Sequence, residues 1–129
     1  MSKKSRGTNA ERDLVHKFWD VGWACFRAAG SGSQSYPSPD IITGNRIRKL
    51  AIEVKLTTEE KKYFRDDEIA GLQEFATRFG AEPWVAIKFH RKDWVFLTLE
   101  DIESSGKHFV VTPEVAERRG LSFEQITTM

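Results

Sequence analysis

Three charged residues interrupt apolar runs in the stretch SPDIITGNRIRKLAIEVK, residues 38–55: Asp40 at the mouth of one run, Glu53 and Lys55 near the end of the next. Packing alone would favour Val or Ile at such places. In a strand, residues two apart share a face, so Glu53 and Lys55 project together while Leu50, Ile52, Val54 and Leu56 project to the other side as core. An isolated Glu-x-Lys is ordinarily a solvated strand face with an ion pair. Asp40 changes that balance if it reaches Glu53, which depends on the hairpin between them. A two-residue turn at Gly44-Asn45 would set Asp40 opposite Lys49, and no site would assemble. A four-residue loop, Asn45 to Arg48, would instead set Asp40 opposite Glu53 on the same face, with Cα atoms about 4.5–5.5 Å apart. Pro39 suits the start of such a strand, where a missing N–H is tolerated.

Two converging carboxylates repel unless one is protonated or a cation sits between them, and hard divalent ions favour an all-oxygen environment. The expected cofactor is therefore Mg²⁺, with Mn²⁺ as a substitute. A structural zinc site is not expected, because there is no Cys/His cluster and His16, His90 and His108 show no ligand spacing. Glu11 precedes Leu14, Val15 and Phe18 by three, four and seven residues, which places it on their inward helical face. The same glutamate completes a Thr8-x-x-Glu11 capping-box pattern, a purely structural alternative. Arg12, Arg27 and the loop AGSGS add positive charge, hydroxyls and backbone N–H groups suited to phosphate oxygens.

The elements that must hold these groups can be read along the chain. TNAERDLVHKFWDVG is an amphipathic helix stopped at Gly22, after a basic segment, residues 1–7, expected to be a mobile arm bringing Lys3, Lys4 and Arg6 to DNA. WACFRAA, DIIT, KLAIEVKL, WVAIKFH and WVFLTL are five strands, the last two joined by a hairpin at RKD. GSGSQSYPSP reads as an irregular loop and TTEEKKYFRDDE as a charged connection. A second helix, IAGLQEFATRFG, ends at Gly80, and TPEVAERRG is a short helix with Thr112 as N-cap and Pro113 at its first position. The fold class is α/β, a mixed five-stranded sheet flanked by helices in one domain covering residues 1–129.

The chain has 129 residues and 40% hydrophobic content, which suits one core. Its apolar runs are far shorter than the roughly 20 residues that span a bilayer, so no membrane partner is expected. One cysteine, Cys25, can form no internal disulfide and suits a cytoplasmic location. The net charge of +1 conceals an asymmetry. Residues 1–65 carry 13 Lys and Arg against 7 Asp and Glu, whereas residues 66–129 carry 7 against 12. The half with the acidic motif is thus the basic half, compatible with a face made for a polyanion.

The pattern PD followed by EVK resembles the PD-(D/E)xK nuclease superfamily, with its restriction-endonuclease-like fold. More narrowly, RGTNAERDLVHKF, RAAGSGS, PDIITG, AIEVK, LQEFATRFG and WVAIKF together resemble an archaeal Holliday junction resolvase. This resemblance implies that Glu11, Asp40 and Glu53 serve a metal site, and that Lys55 orients the attacking water or steadies transition-state charge. It further implies that Arg12, Arg27 and Ser31 engage DNA phosphate near the cut, Ser31 as part of the catalytic set. A homodimer acting on four-way junctions is implied as well, with Phe75 and Phe79 at the subunit contact; the helix itself adds Leu72 to the apolar patch expected there. The rival readings are a restriction-type endonuclease with the same metal chemistry and a non-catalytic DNA-binding protein on the nuclease fold.

Overall fold

The computed structural model of the protein describes residues 3–28, 35–58, 62–106 and 108–129. The chain opens with α1 (Lys3–Asp20), followed by β1 (Ala24–Arg27), β2 (Ile41–Gly44), β3 (Lys49–Thr57), β4 (Lys62–Arg65) and α2 (Asp66–Phe79). Next come β5 (Glu82–Phe89), β6 (Val95–Leu97), a 3₁₀ turn (Leu99–Asp101), β7 (Glu103–Ser105), β8 (His108–Val111), α3 (Pro113–Arg119) and α4 (Phe123–Thr128). The five strands expected from the sequence form one mixed sheet in the order β1-β2-β3-β5-β6. Strands β1, β2 and β3 are antiparallel, β3 and β5 are parallel, and β6 returns antiparallel to β5. The parallel pair needs a crossover, and α2 supplies it.

The β2–β3 register settles the hairpin. Ile41 faces Ile52 and Gly44 faces Lys49, so the loop is the four-residue Asn45–Arg48. Asn45 holds it with its own side chain, Oδ1 accepting the N–H of Ile47 at 2.9 Å and of Arg48 at 2.7 Å. Arg48 then ties the loop to its neighbours. Its Nε and Nη2 donate to the two oxygens of Glu82, each at 2.9 Å, and its Nη1 donates to the Ile126 carbonyl at 2.6 Å.

Both faces of the sheet are covered. On one, Leu50, Ile52 and Val54 of β3 pack with Leu14 and Phe18 of α1, Trp84 and Ile126. On the other, Ala51 joins Ile69, Leu72 and Ala76 of α2, with Phe64, Val85 and Ile87. This is the face on which Glu53 and Lys55 lie, so it is a helix-covered face rather than a solvated one. The apolar alternation of β3 ends at Val54, since Leu56 is exposed.

Several expectations are corrected. The N-terminal segment is not an arm from Lys3 onward: Lys3, Lys4, Ser5 and Arg6 tolerate helix, and Gly7 costs only about 1 kcal/mol there, so α1 absorbs them. Thr8 is consequently inside the helix, where it cannot act as an N-cap. The charged connection contains β4, which joins β8 and β7 in a second, three-stranded sheet. One wholly buried residue, Phe64, anchors it beneath flanking charge. Helix α4 is capped by Ser122, which forms a reciprocal capping box with Gln125. Ser31 and Ser33 lie outside the described residues.

Candidate active site

Asp40 stands where β2 begins and is fixed from both sides. Its carbonyl accepts the Ala28 N–H at 2.9 Å, its N–H donates to the Ile52 carbonyl at 3.1 Å, and its Oδ2 accepts the Val54 N–H at 2.8 Å. The β2–β3 register continued by one residue sets it across from Glu53. The two carboxylates therefore meet on the face covered by α2, in the lining of a cavity of about 700 Å³. Glu11, Asp40, Glu53, Lys55, Arg65 and Glu68 all line this cavity.

The electrostatics follow from that crowding. Burial first, and then the charge and contact of Asp40, push the Glu53 carboxyl up to about 9, so it holds a proton that an exposed glutamate would have lost. Glu11 is raised for the same two reasons, burial and Asp40, against the opposing influence of Arg27. Burial opposes the Lys55 charge, but contact with Glu68 and the fields of Glu53, Glu68 and Asp40 more than offset it, and its pKa is raised. The ammonium sits 2.8 Å from Glu68 Oε2 and 3.8 Å from Glu53 Oε2. It also lies 5.9 Å from the centre of the Phe64 ring.

Sequence reasoning brings together Glu11, Asp40, Glu53 and Lys55, and the structure places all four on one cavity. Glu11 is shared, however, because Arg27 Nε donates to its Oε1 at 3.1 Å. The pair leaves only part of the Arg27 guanidinium open to other partners. Among the described residues no three His, Cys, Asp or Glu side chains converge closely enough to enclose a metal ion by themselves. Arg12 and Arg6 are exposed on α1, and Lys3 and Lys4 belong to its first turn.

Leu72 does not lie on a free surface. It is buried with Ile69 and Ala76 on the stripe of α2 that faces the sheet, so a subunit contact cannot use it. Phe75 and Phe79 stack at 5.3 Å on the helix edge, where Phe79 is 47% exposed and Phe75 half-buried. A second cavity, about 430 Å³, runs beside them towards Tyr36 and Pro37.

Among the charged residues of the cavity, sequence reasoning does not find Arg65, Asp67 and Glu68. A signal for Glu68 was present, since it precedes Leu72 by four residues and Ile69 by one, on the inward side of a helix. The reading of RDDE as a charged connection hid it.

The family model described as "Archaeal holliday junction resolvase (hjc)" matches residues 2–129. The chain belongs to the archaeal Holliday junction resolvase family. The crossover junction endodeoxyribonuclease Hjc of Archaeoglobus fulgidus is 42% identical over 95% of both chains. Its namesake from Sulfurisphaera tokodaii is 32% identical, over 97% of this chain and 88% of that one. A 1.6 Å structure of Archaeoglobus fulgidus Hjc, described as a Holliday junction resolvase from an archaeal hyperthermophile, superposes with a TM-score of 0.87. It covers 92% of this chain and 96% of its own, at 40% identity. The mixed five-stranded sheet with flanking helices is thus the fold of this family.

Proposed function

We propose that this chain is an endonuclease that resolves four-way DNA junctions by metal-dependent hydrolysis of phosphodiester bonds, working as a homodimer in the cytoplasm. The observation that carries the reading is the apposition of Asp40 and Glu53, with Lys55 beside them, in the lining of one cavity in a chain of the resolvase family. A structural ion pair needs one acid and one base. Here two carboxylates are crowded until one must keep a proton, which is a cost the fold has no reason to carry unless a cation relieves it.

The donor chemistry fits Mg²⁺ or Mn²⁺: Asp40 and Glu53 offer hard oxygens and mutual repulsion, with Glu11 on the same cavity. When bound there, such an ion supplies charge stabilisation at the phosphoryl oxygens and a more acidic water. The remaining chemistry belongs to the chain. The Val54 N–H fixes the Asp40 carboxylate, so the pair is pre-set by β2 and β3 rather than assembled on binding. Lys55 places a positive charge beside that pair, where it orients a water or steadies charge growing on the phosphate. Arg12, Arg6, the free edge of Arg27, and Lys3 and Lys4 in the first turn of α1 offer contacts to DNA phosphates. Cys25 is buried and free, as a reducing compartment would keep it.

The test is incubation of the purified protein with a labelled four-way junction and, in parallel, a linear duplex of the same sequence, with Mg²⁺ and with EDTA. Paired cuts near the branch, seen with Mg²⁺ alone, are expected. Equal cutting of the duplex at fixed sequences would instead indicate a restriction-type enzyme, and binding without cutting a DNA-binding module.

A further inference from the structure

Lys55 shares its strand face with Glu53, yet its closer partner comes from another element. Glu68, in the first turn of α2, brings Oε2 to 2.8 Å from Lys55 Nζ, a full ångström nearer than Glu53 Oε2 at 3.8 Å. That oxygen is shut off from solvent, so the ion pair with Lys55 is what compensates its charge. The other oxygen, Oε1, lies 3.5 Å from Arg65 Nε. We propose that Glu68 is a positioning residue: it draws the Lys55 ammonium across the cavity and holds it at one point of the site. This rests on the reading of Lys55 as the cation at the reacting phosphate.

The geometry favours this over a stabilising role. The lysine stem leaves β3 with four rotatable bonds, and three elements fix its end. These are Glu53 on β3 itself, the Phe64 ring on β4 at 5.9 Å, and Glu68 on α2. Of these, Glu68 makes the shortest contact and comes from a helix rather than from a strand. Glu53 is also the carboxylate that a metal would occupy, and an ion bound there repels the ammonium. Glu68 is then the anion that keeps Lys55 from swinging away. A surface ion pair would be worth little, but Glu68 and Lys55 side chains are only 17% and 24% exposed. Removing Glu68 therefore leaves a partly buried ammonium to find a new partner, and Glu53, the metal-site carboxylate, is the nearest.

A double-mutant cycle tests this. Single-turnover cleavage of a labelled junction, with enzyme in excess and long incubation, is measured for wild type, Glu68→Ala, Lys55→Met and the double variant; junction affinity is measured without divalent metal. Glu68→Ala should slow cleavage on the order of 10²-fold, as expected for a reacting group displaced by about 1 Å. Its junction affinity should stay near the wild-type value. In the Lys55→Met background the same change should cost less than about twofold, because there is no ammonium left to position. Glu68→Gln, which keeps the size and one acceptor oxygen, should lose less than Glu68→Ala, and it replaces Glu68→Ala in the cycle if the alanine variant melts early. A cost of equal factor in both backgrounds would overturn the inference, since Glu68 would then act on its own. Wild-type cutting by Lys55→Met would overturn the role of Lys55 first, and this inference with it.

Discussion

Glu53 bears the heaviest electrostatic load in the cavity, and its behaviour separates the chemistry from the fold. Glu53→Gln keeps the shape, removes the charge, and should abolish cleavage while leaving junction binding intact, as gel shift and product mapping on one sample would show. Cutting at the wild-type rate would refute the metal assignment. The same residue predicts a pH dependence of stability. Its pKa in the folded chain, about 9, lies above its ordinary value of 4.5, so the folded state holds a proton that the unfolded state releases. The stabilisation this provides is complete below the ordinary carboxylate pKa and is lost as pH rises through the folded value. Glu11, also raised, acts in the same direction. Without divalent ions, Tm should therefore fall between about pH 5 and pH 9, and added Mg²⁺ should raise Tm more at about pH 8 than at about pH 5, where protons compete for the carboxylates. Glu53→Gln should flatten the fall and shrink the Mg²⁺ gain. Thermal melts of both proteins with Mg²⁺ and with EDTA measure this, and an equal Mg²⁺ gain at both pH values would be against it.

At the scale of elements, the hairpin joins β2 to β3 far from the chemistry and yet sets the chemistry, because a one-residue slip would turn Glu53 to the other face of the sheet. Arg48 holds this end down through its two bonds to Glu82, its bond to the Ile126 carbonyl and its stacking over Trp23. Arg48→Ala should cost about 1.5–3 kcal/mol in stability by denaturant melts, as for hydrogen bonds to charged groups, while cleavage measured well below the melting range stays near wild type. Loss of cleavage without loss of stability would mean that the register itself had moved. How much of this was legible differs by element. The five strands carry short apolar runs bounded by polar turns, and the length of the Asn45–Arg48 loop is the one unknown that decides whether Asp40 meets Glu53. Strand β4 was hidden because, in KYFR, only Phe64 faces the core and the flanking charge dominates the composition. The start of α1 is hidden because a run of basic residues resembles a solvated tail, although nothing in Lys3–Arg6 breaks a helix. Glu68 was hidden by the same charge. It could have been found by the reasoning applied to Glu11, a glutamate at helical spacing before buried residues.

At the scale of the whole molecule, a four-way junction is resolved usefully only when two strands of like polarity are cut symmetrically, and each chain offers a single Asp40/Glu53/Lys55 cavity. Two copies related by a twofold axis supply two sites in matching orientation. Such an axis brings one surface patch against itself, so the patch must be apolar and exposed in the single chain. Leu72 is excluded by burial, which leaves the stacked pair Phe75 and Phe79 with the apolar cavity beside them. Helix α2 carries this pair near its end and Glu68 in its first turn, so one rigid element links the proposed subunit contact to the wall of the active site. Phe79 is the sharper probe, because it is half exposed, with Lys49 Nζ 5.3 Å from its ring centre. In the separate chain, Phe79→Asp places a carboxylate near that lysine and should fold; in a dimer it buries two carboxylates against each other across the axis, which opposes association. The expected product is a folded monomer that keeps the Glu11/Asp40/Glu53/Lys55 cavity but nicks junctions singly. Sedimentation together with a count of cuts per supercoiled cruciform reads both properties at once. If Phe79→Asp remains a dimer that makes paired cuts, the axis lies on another face of the molecule, and the exposed aromatic pair has some other use.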